Sequence, residues 1–71
     1  MRRVPVTSTN LAAVGYDGFA RVLEVEFLDG RVYQYFGVPM HIYHDLLEFR
    51  GPGVYLDTEV KKAGFPYQRV R

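Results

Sequence analysis

From Leu23 to Phe27 every second side chain is apolar: Leu23, Val25 and Phe27 alternate with Glu24 and Glu26. A stripe of period two, with carboxylates on its other side, predicts a half-buried β-strand. Asp29-Gly30 follows as a hairpin signal, and Arg31-Val32-Tyr33-Gln34-Tyr35-Phe36 returns as the partner strand before Gly37. Two registers are open to this hairpin. A two-residue turn at Asp29-Gly30 pairs Phe27 with Val32 and Val25 with Gln34, burying an amide and turning Tyr33 and Tyr35 outward. A type I turn over Leu28-Asp29, with Gly30 left-handed in a bulge, pairs Val25 with Tyr33 and Leu23 with Tyr35. The cost of burying Gln34 favours the bulge, although Val32 and Phe36 then lie outside. One residue of slip exchanges the two faces, so this register decides whether the tyrosines belong to the core or to the surface.

Upstream, Pro5 keeps the segment from Val4 to Leu11 out of a central ladder position, which predicts a short edge strand or an extended arm. Leu11 to Asp17 continues as strand, and Asp17-Gly18 turns the chain. Downstream the period changes. Pro39 suits a first helical turn, and Ile42, Tyr43, Leu46 and Leu47 share one helical face. His41, His44, Asp45 and Glu48 populate the opposite face. Gly51-Pro52-Gly53 breaks the helix, and Val54 to Ala63 reads as a second one with Leu56 and Val60 inward, stopped by Gly64 and Pro66. The tail from Phe65 to Arg71 starts too aromatic to be pure disorder. The expected fold class is α+β: a small antiparallel sheet of about three strands followed by two helices packed on one face.

Length sharpens this picture. Seventy-one residues make one domain, here residues 1–71, and such a chain buries only about 60% of its unfolded surface. With no cysteine there is no disulfide framework or zinc-finger pattern, so dense packing or a partner must supply the stability. A composition of 48% hydrophobic and 15% aromatic residues suits dense packing. No apolar stretch approaches the roughly 20 residues of a membrane span, and the N-terminus lacks the apolar core of a signal peptide. The expectation is a soluble, cytoplasmic protein with no membrane partner. The net charge of +1 conceals an uneven distribution. Residues 4–60 hold three arginines against all eight acids, whereas Lys61, Lys62, Arg69 and Arg71 follow with no acid, and Arg2 and Arg3 precede. If the chain ends lie together, as termini often do, they form one positive surface for phosphates or acidic partners. Charged termini also serve plain solubility.

The order of short blocks carries a resemblance. Val6-Thr7-Ser8-Thr9-Asn10-Leu11, Val14-Gly15-Tyr16-Asp17, Leu23-Glu24-Val25-Glu26-Phe27, Gly30, Tyr33-Gln34-Tyr35, Val38-Pro39, Tyr43 and Leu46 resemble the KTSC domain from about Val6 to Tyr67. That family is named for a C-terminal extension of some lysyl-tRNA synthetases and also occurs as small stand-alone bacterial proteins. Its mark is a Tyr-x-Tyr motif, matched by Tyr33 and Tyr35, and Phe65-Pro66-Tyr67 resembles its aromatic end. The chain departs from the family where Ala-x-Ser-x-Gly and Tyr-Phe-Asn are usual, carrying Phe49, Gly51, Gly53, Tyr55, Leu56 and Asp57 instead. The resemblance implies a fold boundary and a hint of RNA binding, with no mechanism.

RNA needs cations for its phosphates and flat rings for its bases. Lys61, Lys62, Arg69 and Arg71 are the candidate cations, joined by Arg2 and Arg3; Tyr33, Tyr35 and Tyr67 are the candidate rings, with Phe65 beside them. Six tyrosines and five phenylalanines are a heavy load for so small a core, so some are expected on the surface. The near-neutral balance argues the other way, since nucleic-acid domains are usually more basic. Catalysis has little to stand on: Ser8 is the one serine and has no nucleophile elbow, and there is no thiol. Glu24 and Glu26 lie on the same side of a strand, about 7 Å apart, and read as a solvated sheet face or as salt-bridge partners. His41 and His44 at i, i+3 lack the further ligands that a closed metal site needs, so neither metal nor other cofactor is expected. The polar run from Thr7 to Asn10 reads as side-chain-to-backbone bonding, or alternatively as an exposed edge for strand addition. The leading expectation is a non-catalytic accessory that binds RNA, tRNA in particular. The alternative is interaction with another protein or with a second copy, without nucleic acid.

Overall fold

A computed structural model describes residues 2–48 and 52–71. Phe49, Arg50 and Gly51, the last of them the first residue of the expected Gly51-Pro52-Gly53 break, lie outside the described residues, and the second helix starts at Pro52, two residues before the expected Val54. The hairpin of β3 (Val22–Phe27) and β4 (Val32–Phe36) takes the bulged register, with Val25 opposite Tyr33 and Leu23 opposite Tyr35. Gly30 makes this possible at φ 95°, a conformation that side-chain-bearing residues rarely adopt. Its N–H donates to Phe27 O at 3.0 Å, and the Phe27 N–H donates to Arg31 O at 2.8 Å. Gln34 escapes burial on the other face, where its amide donates to Glu24 Oε1 at 2.9 Å. Val32 shares that face yet is only 3% exposed. The Arg71 side chain stretches across it to Gly30 O and Glu26 Oε2.

β2 (Leu11–Asp17) pairs antiparallel with β3 through a bulge between Leu11 and Ala13. An extra residue there inverts the alternation, so Leu11 opposes Phe27 and points into the core, although parity with Ala13 would have sent it out. β1 (Arg3–Pro5) lies outside β2 as an edge strand, as Pro5 requires. The Thr7 to Asn10 run is the intervening turn. Ser8 Oγ accepts from the N–H groups of Asn10 and Leu11, at 3.2 Å each, and donates to Asn10 Oδ1 at 3.0 Å. The side-chain-to-backbone role holds, and the free edges of the sheet lie elsewhere.

α1 (Met40–Glu48) and α2 (Pro52–Tyr55) cover one face of the sheet, and α2 runs on as a wider π-helical segment (Leu56–Lys61). The widening shows in Lys62 N–H, which donates to Asp57 O, five residues back. Ile42, Leu46, Leu56 and Val60 enter a core with Leu11, Val14, Leu23, Val25, Tyr35 and Val38. Each fully buried aliphatic side chain contributes about 1.5–3 kcal/mol, the main force holding the helices to the sheet. Tyr16 fixes the entry to α1: its hydroxyl donates to Val38 O, and its ring stacks on Tyr43 with centroids 5.5 Å apart. Leu47, expected inward, is 37% exposed at the margin of the helical stripe.

The sheet has five strands where about three were expected. After the helices the tail returns as β5 (Tyr67–Arg69) beside β4, giving the spatial order β1-β2-β3-β4-β5. The fold is α+β, an antiparallel sheet with two helices on one face.

Candidate functional site

Pairing of β5 with β4 sets Tyr67 opposite Tyr35 and Arg69 opposite Tyr33, so all four side chains share the helix-side face. Beyond the helices that face is left partly open. Ring centroids lie 5.9 Å apart for Tyr33 and Tyr67, 5.7 Å for Tyr35 and Tyr67, and 6.5 Å for Tyr33 and Tyr35. Phe27 meets Tyr33 edge to face at 5.8 Å. Exposure grades across the cluster from 3% at Tyr35 to 64% at Tyr67. Burial, reinforced by the neighbouring phenols of Tyr33 and Tyr67, pushes the Tyr35 hydroxyl up to about 12.

The rings floor a hollow of about 350 Å³ lined by Phe27, Arg31, Tyr33, Tyr35, Lys61 and Tyr67. Two cations flank it. The Arg31 guanidinium lies 5.1 Å from the Phe27 ring centroid and 6.0 Å from that of Tyr33, and Lys61 Nζ lies 5.5 Å from Phe27. Each cation also touches an acid: Arg31 Nε with Asp29 at 2.7 Å, and Lys61 with Asp57 at 3.1 Å. The Arg31 backbone N–H, followed by its guanidinium, holds the Asp29 carboxyl below its usual range, and Asp29 in turn raises Arg31. Both pairs are solvent-exposed, so neither contributes much to stability.

Of the seven residues expected at a site, Tyr33, Tyr35, Tyr67 and Lys61 meet in this hollow. Arg69 shares their face, its Nε donating to Arg71 O at 3.1 Å, but does not line the cavity. Lys62 stands exposed past the π-helical segment, also outside the lining. Arg71 turns to the opposite face and pairs with Glu26 at 3.3 Å. Sequence reasoning missed Phe27 as a surface element and Arg31 as a cation of the site. The signal was present: in the bulged register Arg31, Tyr33 and Tyr35 alternate onto one face.

The two basic ends lie on opposite edges of the sheet, and only their Arg3 and Arg71 side chains meet, at the Glu26 carboxylate of the open face. The sheet is a simple meander, so first and last strands occupy opposite edges with three strands between them, roughly 19 Å at the usual strand spacing. Arg3 reaches Glu24 and Glu26 at 3.5 Å each from one edge, while Arg71 reaches Glu26 from the other. On α1, His41 and His44 are exposed, and Asp45 accepts a hydrogen bond from the Tyr55 hydroxyl at 2.6 Å. Burial, then that bond, raises Tyr55 to about 12. Among the described residues no three metal-ligating side chains gather, and no helix is long and apolar enough to cross a membrane.

A five-stranded antiparallel meander with its helices on one face, and a Tyr-x-Tyr strand opening onto an aromatic hollow, defines a class of small α+β domain. The chain belongs to the KTSC domain family, whose model matches residues 7–65. The crystal structure of the KTSC domain protein YPO2434 from Yersinia pestis superimposes with a TM-score of 0.87 at 31% identity, covering 99% of this chain and 97% of that one. An uncharacterized protein of Stutzerimonas stutzeri (strain A1501) is 36% identical over 70 residues, 99% of each chain. A protein of Tsukamurella paurometabola is 35% identical over 57 residues, 80% of this chain and 85% of its own.

Proposed function

We propose that the aromatic hollow binds single-stranded RNA without catalysing a reaction on it. One observation carries this reading: partly open phenol rings lie beside two cations that pair with exposed carboxylates. A base stacks on the accessible ring of Tyr67 and the edge of Tyr33, and the adjoining phosphate meets Arg31 and Lys61. Stacking of a base on an aromatic side chain contributes about 1–3 kcal/mol and tolerates any base. Arg69, on the same face of β5, adds a cation at the rim. The family's link to lysyl-tRNA synthetases makes tRNA the first RNA to test. Filter binding across a salt series is expected to give saturable retention that weakens steeply as salt rises. Tyr67→Ala, and Arg31→Ala with Lys61→Ala, are each expected to weaken it at least tenfold, whereas Lys62→Ala leaves it. No retention at low salt overturns the reading.

A second reading is protein interaction, and it rests on Phe19. Its side chain is fully exposed on a turn held rigid by Asp17 Oδ1, which accepts from the Phe19 and Ala20 N–H groups at 3.0 and 3.2 Å. A mass that rises with concentration in sedimentation, and no longer does so in Phe19→Ser, supports it.

A further inference from the structure

The aromatic hollow continues in two directions of changing chemistry. A second hollow of about 300 Å³ shares Phe27, Arg31 and Lys61 with it, and adds Thr9, Asn10, Leu28 and Asp29. A third, of about 530 Å³, shares Thr9 and Asn10 with the second, and adds Thr7, Ser8, Gly53, Val54 and Asp57. The shared side chains make the three hollows neighbours along one surface groove. It runs from Tyr67 past the two cations to the Thr7 to Asn10 turn, aromatic at one end and rich in hydroxyls and amide at the other.

Asn10 is the fixed polar group at that far end. Its Oδ1 accepts from Ser8, and its backbone is held on both sides, the N–H by Ser8 Oγ and the carbonyl by Leu28 N–H at 2.9 Å. Its amide lies directly over Gly53, where a methyl group would collide with Oδ1. The amide is thus oriented before any ligand arrives, with Oδ1 holding a hydrogen bond from Ser8 and the NH₂ holding none among the described residues. A carboxamide offers a donor and an acceptor side by side, the pattern that pairs with the N6 and N7 edge of adenine. Hydroxyls of Thr7 and Thr9 beside it suit a ribose 2′-hydroxyl, the group that separates RNA from DNA.

We propose that this notch is a base-reading subsite for the nucleotide next to the one stacked on Tyr67, and that Asn10 makes it prefer adenine in RNA. The proposal rests on the RNA reading of the aromatic hollow. Phosphates cross the middle of the groove, where Arg31 and Lys61 stand, and the acids Asp29 and Asp57 face the strand at either side of them. The aromatic end supplies affinity and the amide end supplies choice.

Fluorescence anisotropy with labelled oligo(A), oligo(U) and oligo(dA) of equal length separates the two ideas. The intact chain is expected to bind oligo(A) about tenfold more tightly than oligo(U) or oligo(dA). Asn10→Asp keeps the acceptor for Ser8 while removing the donor, and Gly53→Ala displaces the amide without changing charge. Both are expected to bring the ratio of oligo(A) to oligo(U) affinity close to one, with circular dichroism confirming the fold. Tyr67→Ala is expected to weaken all three oligomers alike and preserve the ratio. If the intact chain binds no oligomer, the RNA reading itself fails. If it binds all of them equally, or if either folded variant keeps the preference, the subsite is overturned and the aromatic hollow stands alone.

Discussion

Three tyrosines sit within one cluster and have different roles because their exposure differs. Tyr35 is 3% exposed and belongs to the core, while Tyr67 is 64% exposed and belongs to the surface. Tyr67→Phe keeps the ring face and is expected to leave RNA retention unchanged, in contrast to Tyr67→Ala; a large loss in Tyr67→Phe would move the interaction from the ring to the hydroxyl. The buried hydroxyl has a pH signature. Tyr35 and Tyr55 are both raised from the ordinary tyrosine value of 10.0 to about 12, so the folded chain holds their protons more tightly than the unfolded one. Their contribution to stability is complete below pH 10 and is lost as pH rises through about 12. Denaturant melts across that window should show the decline, and Tyr35→Phe with Tyr55→Phe should flatten it. A decline already complete below pH 10 would exclude these two phenols as its cause. Phe27 serves both core and groove at 6% exposure, and Phe27→Ala is expected to cost about 3–5 kcal/mol by chemical denaturation. An unshifted midpoint would mean that its ring bears little of the packing.

Elements whose pattern is local were legible in the sequence. The β3–β4 hairpin, its bulge and the inward faces of both helices follow from period two, period 3.6 and one unfavourable burial, that of Gln34. Gly30 is the hinge of that reading. Nothing lies within 4 Å of a methyl group placed there, so Gly30→Ala tests conformation alone. A cost of about 1–3 kcal/mol is expected in a thermal melt, and no cost would mean the turn does not need φ 95°. The β2 bulge was not legible, because Leu11-Ala12-Ala13-Val14 is apolar throughout and leaves parity undecided. β5 was hidden for a different reason. It has three residues, no turn signal joins it to its partner, and two helices separate it from β4 in the chain. Only closure of the tertiary fold shows that Tyr67 stands beside the Tyr-x-Tyr pair. The candidate site was consequently half-visible: its rings and Lys61 were named from sequence, while Phe27 and Arg31 were read as parts of the hairpin.

At the scale of the molecule the two faces of the sheet treat charge in opposite ways. The helix side leaves Arg31 and Lys61 at a hollow, each paired with an exposed acid. The open side ties its cations into a ladder across the strands. Gln68 donates to Gln34 at 3.3 Å, Gln34 to Glu24, and Arg3 completes the row, with Glu26 between Arg3 and Arg71. Placing both chain ends on one acid removes the broad positive surface that their sequence suggests, so attraction for polyanions should depend on Glu26. Glu26→Gln keeps the shape and one acceptor but releases Arg3 and Arg71 from their shared carboxylate. The Arg71 pair is exposed and contributes little, but Arg3 Nη1 is buried and faces the Glu26 carboxylate, so a loss of about 1–3 kcal/mol is expected in a chemical melt. Retention on a heparin column should increase, with a steeper salt dependence, since newly unpaired cations displace more counterions. Oligo(A) preference should stay as it was, because Arg3 and Arg71, the ion partners of Glu26, do not line the groove. Unchanged heparin retention would show that the open face was never masked by its acids, and the weak basicity of the whole chain would then need another cause.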